Sequence, residues 1–95
     1  MITLTPAAAE QVLRAAADAG IEEPLLRVAA RLDDADGGIE YGMGFDDRRE
    51  QDEEFECEGV VVLVSPPSRD ALAGTVLDFV EMSPGDYRFI FRRAP

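Results

Sequence analysis

"RVAARLDDADGGIEYGMGF", Arg27 to Phe45, decides how this chain folds. Leu26, Val28, Ala30 and Leu32 alternate with Arg27 and Arg31, and Ile39, Tyr41, Met43 and Phe45 alternate with Glu40, Gly42 and Gly44. A period of two places each apolar set on one face of a strand. Two such runs in succession, with matched inner faces, predict an antiparallel pair. The connection "DDADGG" carries Asp33, Asp34 and Asp36. Three uses are open for them: ligands of a metal, a pair of catalytic acids, or a turn kept in water.

The flanking sequence supplies the rest of the fold. Ile2 to Leu4 reads as a short strand, Thr5 as a helix N-cap, and Pro6 as the first helical residue, where its missing N–H costs nothing. Ala9, Val12, Leu13 and Ala16 fall on one helical face, Glu10 and Arg14 pair on the other, and Gly20 ends the helix. Asp46 to Gly59 is dominated by carboxylates and reads as an exposed loop leading into an edge strand around Phe55. "VVVLVS", Val60 to Ser65, is apolar on both faces and predicts a central strand. Ser68 to Ala73 predicts a short helix stopped by Gly74. "TVLDFVEM" and "YRFIFRR" are two more alternating strands around the turn "SPGD". The fold class is α+β: one compact domain over residues 1–95, with a mixed sheet of six or seven short strands and two helices.

With 95 residues and a net charge of −11, the chain is repelled by phosphate backbones and anionic lipid, so nucleic-acid and membrane partners are not expected. No apolar run approaches the roughly 20 residues that span a bilayer. One cysteine and the absence of a leader pattern after Met1 point to a cytoplasmic protein.

Catalytic chemistry finds little to work with. There is no histidine and no lysine, so the commonest base, the commonest transition-metal ligand and Schiff-base chemistry are missing. Ser65, Ser68 and Ser83 have no base to activate them and sit in proline turns. An EF-hand starting at Asp34 fails, because Gly38 and Ile39 occupy its fifth and sixth positions. A looser oxygen cage combining Asp33, Asp34 and Asp36 with Glu50, Asp52 or Glu53 stays open. Cys57, between Glu56 and Glu58, reads as a small half-buried strand residue. Gly42 and Gly44 strip one face of their strand, leaving room for another backbone, a ligand or a partner.

"MITLTPAAAEQV", "LLRVAAR" followed by "GGIEYGMGFDD", "FECEGVVVLVSPPSRDALAGTVLDFVE" and "GDYRFIF" together resemble the HesB/IscA A-type iron-sulfur carriers over nearly the whole chain. The resemblance implies a compact mixed α/β domain, assembly into dimers or tetramers, and a cluster held by three cysteines. One of those cysteines lies in a glycine-rich "G-G-C-S-G" turn and two in a C-terminal "C-G-C". Here the turn is "DADGG", with Asp36 at or next to the cysteine position, and no residue matches the C-terminal pair before Pro95. Cys57 aligns with a polar position. The expectation is therefore a non-enzymatic carrier-like protein without a cofactor, acting on a protein partner in iron-sulfur or sulfur metabolism, as monomer or homodimer. Tyr41, Gly42 and Gly44 are its candidate interaction residues. The alternative is weak binding of iron or a divalent metal through the Asp33–Asp36 turn and the Asp46–Glu58 segment.

Overall fold

The computed structural model describes residues 2–94. In chain order the elements are β1 (Thr3–Leu4), α1 (Pro6–Asp18), β2 (Leu25–Leu32), β3 (Ile39–Phe45), β4 (Glu53–Cys57), β5 (Val60–Val64), a 3-10 turn (Pro66–Ser68), α2 (Arg69–Leu72), β6 (Thr75–Ser83) and β7 (Asp86–Arg93). Seven strands and two helices match the α+β expectation. The strands form two sheets and not one, in the orders β1-β6-β7 and β3-β2-β5-β4.

Local chemistry accounts for most of the boundaries. The Thr5 hydroxyl accepts from the Ala8 N–H, capping α1 beside Pro6. The same hydroxyl donates to Asp78 at 2.7 Å, tying the cap to β6. β4 turns into β5 through Glu58 and Gly59, both with positive φ, the geometry of a two-residue turn whose twist suits a hairpin. Glu58 holds that conformation at φ 52° without being glycine, asparagine or aspartate, the residues that usually mark such a turn.

The two sheets face one another across a single core. Leu4 and Leu77 contribute from the three-stranded sheet, and Leu26, Val28, Ala30, Val60, Val62 and Val64 from the four-stranded one. Helix α1 adds Ala8, Ala9 and Val12, whose small side chains let it sit close to both sheets. Burying a Leu or Val side chain of this kind contributes about 1.5–3 kcal/mol. Leu32, expected on the inner face, is instead 65 % exposed, because it lies at the tip of its hairpin beyond the reach of the core.

β2 is the hinge of the topology. It pairs antiparallel with β3 along its whole length and parallel with β5 over Leu25–Arg27 only. Beyond that, the row of amides facing β5 has no strand beside it. Buried Ser68 stands there, and its Oγ accepts from the Ala30 N–H at 3.2 Å. The hydroxyl thus replaces a strand at a position where an unpaired N–H would be costly. Ser68→Ala leaves the Ala30 amide buried and unsatisfied, and urea unfolding should register a loss of about 1–3 kcal/mol; an unchanged midpoint would mean that the hydroxyl is dispensable.

Candidate functional site

The aspartate turn closes on itself. The Gly37 N–H donates to the Asp33 carbonyl at 2.8 Å and the Asp33 N–H to the Gly38 carbonyl at 2.8 Å. Asp33 Oδ1 accepts from the Ala35 N–H at 2.9 Å, and Asp36 Oδ1 from the Gly38 N–H at 2.7 Å. Gly37 takes φ 73°, a left-handed value that glycine adopts without strain. Asp33 and Asp36 are therefore turn-forming acceptors, the usual role of Asp in such loops. Asp34 is exposed and, among the described residues, its side chain makes no hydrogen bond.

The acids of the second stretch are held by arginine, and this the sequence reading missed. Arg27, on the face of β2 opposite Leu26, Val28 and Ala30 as its alternation predicts, is only 13 % exposed at its side chain. Its Nε donates to Asp46 Oδ2 at 2.6 Å, its Nη1 and Nη2 to the two Asp52 oxygens at 2.8 and 2.7 Å, and its Nη2 also to the Asp47 carbonyl at 2.9 Å. Asp52, at 2 % side-chain exposure, receives the fork in bidentate fashion and also accepts from the Arg49 N–H. Arg48 extends the lattice to Glu54 and Glu23 at 3.0 and 2.8 Å. The segment between β3 and β4 is the exposed loop expected there, and these contacts strap it over the outer face of the four-stranded sheet. Leu63 points to that face, between its ladder neighbours Arg27 and Glu54, and is fully buried.

The electrostatics follow from these contacts. The Arg27 fork holds the Asp52 carboxyl at about 2, below the usual carboxylate value. Asp46 is lowered by the same guanidinium, and Arg27 is raised in turn by Asp52. Asp78 is lowered by the Thr5 hydroxyl, with Arg92 adding to it. Each of these acids is stabilised as an anion, so none is prepared to act as a general acid near neutral pH.

Cys57 bridges the two sheets. Its Sγ accepts from the Leu4 N–H at 3.3 Å and its thiol donates to the Leu4 carbonyl at 3.5 Å. It stands on the edge strand β4 and serves the backbone of β1, in the other sheet. The thiol is half-buried, as its place in a strand led one to expect.

Tyr41 lies on the inner face of β3 and stacks on Phe91 of β7, ring centroids 4.6 Å apart and planes 4° from parallel. Gly42 and Gly44 lie on the outer face, where a Cβ on either would meet no atom within 4 Å. The close approach of another part of this chain, one possible reason for these glycines, is absent among the described residues. Over Gly42 runs an open groove of about 330 Å³, bordered by Arg31, Glu40 and Pro67.

The sequence pattern of the iron-sulphur cluster biosynthesis family matches residues 1–86. The chain belongs to that family. A protein of Aquifex aeolicus is 37 % identical over 78 residues, which are 81 % of this chain and 66 % of that protein, so the chain spans about two thirds of the relative's length. The crystal structure of Escherichia coli SufA, involved in biosynthesis of iron-sulfur clusters, superposes with a TM-score of 0.77 at 25 % identity, covering 97 % of this chain and 79 % of SufA. A structure of IscA with a [2Fe-2S] cluster shares the fold, with a TM-score of 0.75 at 23 % identity over 98 % of this chain and 85 % of IscA.

Cluster ligation of the family type requires several thiolates, and these 95 residues contain one cysteine, whose sulfur is bonded to Leu4. Among the described residues no three or more of His, Cys, Asp and Glu are gathered in a way that could hold a metal ion. The Asp33–Asp36 turn and the Asp46–Glu58 segment are not combined into one cage. No helix is long and apolar enough to cross a membrane.

The Arg27 fork makes two predictions. Arg27→Met strands Asp52 in its buried place, and the melting temperature should fall by roughly 5–10 °C in calorimetry. For Asp52, the folded value of about 2 lies below the unfolded one near ~3.9, so its contribution is present above pH ~4 and is lost as pH falls through about 2. The urea midpoint of the native protein should decline over that window, and Asp52→Asn should both lower the midpoint at neutral pH and flatten the decline.

Proposed function

We propose that this protein is a non-enzymatic member of the iron-sulphur cluster biosynthesis family that has given up holding a cluster and acts through contacts with other proteins of that machinery. The observation that carries the reading is the use of Cys57. A sulfur that already joins β4 to β1 is engaged in the fold, and using it as a ligand would give up both of its hydrogen bonds to Leu4. The second support lies in the β2–β3 turn, where Asp36, at or next to the place of the family's first ligand cysteine, accepts a hydrogen bond from the Gly38 N–H. Oxygen donors of this kind suit hard cations and do not assemble sulfide-bridged iron. The third is the set of depressed acids, which supplies no proton donor for catalysis.

The proposed working surface is the outer face of the β2–β3 hairpin around Gly42 and Gly44, where side chains are small and the backbone accessible, while Tyr41 supports it from the opposite face by packing on Phe91. A protein partner in iron-sulfur or sulfur metabolism would find there a nearly bare sheet face rimmed by the Arg31–Glu40 pair.

Anaerobic incubation with iron and sulfide, followed by desalting, should leave no protein-bound iron and no charge-transfer absorbance; a stoichiometric chromophore would sink the proposal. Asp36→Cys alone should remain without a stable cluster, since one thiolate in the turn does not make a ligand set.

A further inference from the structure

β4 leaves one row of peptide groups open, and the ladder identifies the residues that own it. The Val61 N–H donates to the Pro24 carbonyl at 3.3 Å, so the peptide groups of Val61 and Leu63 face β2 and those of Val60, Val62 and Val64 face β4. Cys57, Phe55 and Glu53 are therefore the hydrogen-bonded partners of β5, and the peptide groups of Glu54 and Glu56 point outward from the sheet. Among the described residues neither bonds to backbone elsewhere. At Cys57 the inner side of this edge is closed by β1 through the bonds to Leu4. Beyond it a cavity of about 300 Å³ opens between β4 and α2.

The floor of that cavity is apolar, from Ile2, Phe55 and Leu72, and its mouth carries Glu53, Arg69 and Asp70. Glu53 receives the Arg69 Nε at 3.2 Å, which leaves the Asp70 carboxylate without an ion-pair partner among the described residues. On the outer face of the same edge Glu54 is held by Arg48, while the Glu56 carboxylate has no partner among the described residues. Unmatched negative charge thus flanks the open row on both faces. Such an edge repels its own copy, because antiparallel pairing about Phe55 would set Glu54 against Glu56. The same charge attracts a strand of opposite sign.

We infer that β4 accepts a strand from a different protein, an extended segment in which basic and apolar residues alternate. Side chains opposite Glu54 and Glu56 stand on the outer face, where a positive charge meets the unmatched Glu56 carboxylate. The side chain between them, opposite Phe55, stands on the inner face and is carried over the mouth of the cavity. An apolar group of leucine size is taken up there, beside Ile2 and Leu72. Main-chain bonds to Glu54 and Glu56 supply the attachment, and the alternate side chains supply the choice of partner. In a molecule of net charge −11 the approach of such a segment is favoured before any contact forms.

The inference rests on the contact-protein reading and adds to it a second surface and the chemistry of the partner. The probe is a capped seven-residue peptide alternating arginine with leucine, titrated by fluorescence anisotropy at ~150 mM salt. It should bind at least ~10-fold more tightly than a peptide of the same composition whose leucines are contiguous. At saturation, NMR should show the Glu54 and Glu56 amides exchanging at least ~10-fold more slowly, with Phe55, already bonded to β5, as the reference. Methylating the arginine amides should abolish binding of an antiparallel strand, and methylating the leucine amides that of a parallel one, since only one set faces β4. Glu56→Arg should weaken binding at least ~10-fold, and Asp34→Arg, the same charge change at the tip of the β2–β3 hairpin, less than ~3-fold. Equal binding of the two peptides, indifference to both methylations, equal effects of the two substitutions, or unchanged exchange at Glu54 and Glu56 overturns the inference. Each of those results leaves the cluster-free contact protein and its Gly42 surface standing, whereas a reconstituted cluster would remove that reading and leave the strand site.

Discussion

A strand has two rows of peptide groups and two faces, and the architecture of this protein depends on how all four are satisfied at β2. One row is matched along its length by β3. The other is matched by β5 at Leu25–Arg27 and then at Ala30 by the Ser68 hydroxyl. Its inner face enters the core through Leu26, Val28 and Ala30, and its outer face is anchored by Arg27. The helical segment after β5 has to return to β2 because a buried amide there needs an acceptor. The acidic segment before β4 has to cross the sheet because a half-buried guanidinium needs carboxylates.

That second demand also explains how so acidic a chain stays compact. A net charge of −11 implies self-repulsion, yet the carboxylates nearest the fold are the ones in contact with arginine. The unmatched negative charge is left to positions such as Asp34 and Glu22, where water screens it. The same division keeps the hairpin face around Gly42 free of net charge and accessible.

Much of the fold was legible because it is local. Thr5 with Pro6, Gly20, Gly74 and the Pro84-Gly85 turn mark boundaries through their own backbone preferences, and alternation gave the faces of β2, β3, β6 and β7. Alternation identifies faces without naming neighbours. For this reason the division into two sheets, the parallel contact of β2 with β5 and the bridge from Cys57 to Leu4 were not visible. The partners of Arg27 were not visible for a related reason, since they lie 19 and 25 residues away in a stretch that reads as a charge run. At the aspartate turn the sequence posed the right question, and only the geometry of Asp33 and Asp36 answered it.

The bond between Cys57 and Leu4 has a practical meaning beyond its place in the fold. It is the seam where the edge of one sheet touches the edge of the other, and the group that closes it is the single atom in the molecule that thiol reagents attack. Attaching a group to that sulfur removes the proton donated to the Leu4 carbonyl and crowds the Leu4 N–H, so modification of one atom loosens the contact between the edges of both sheets.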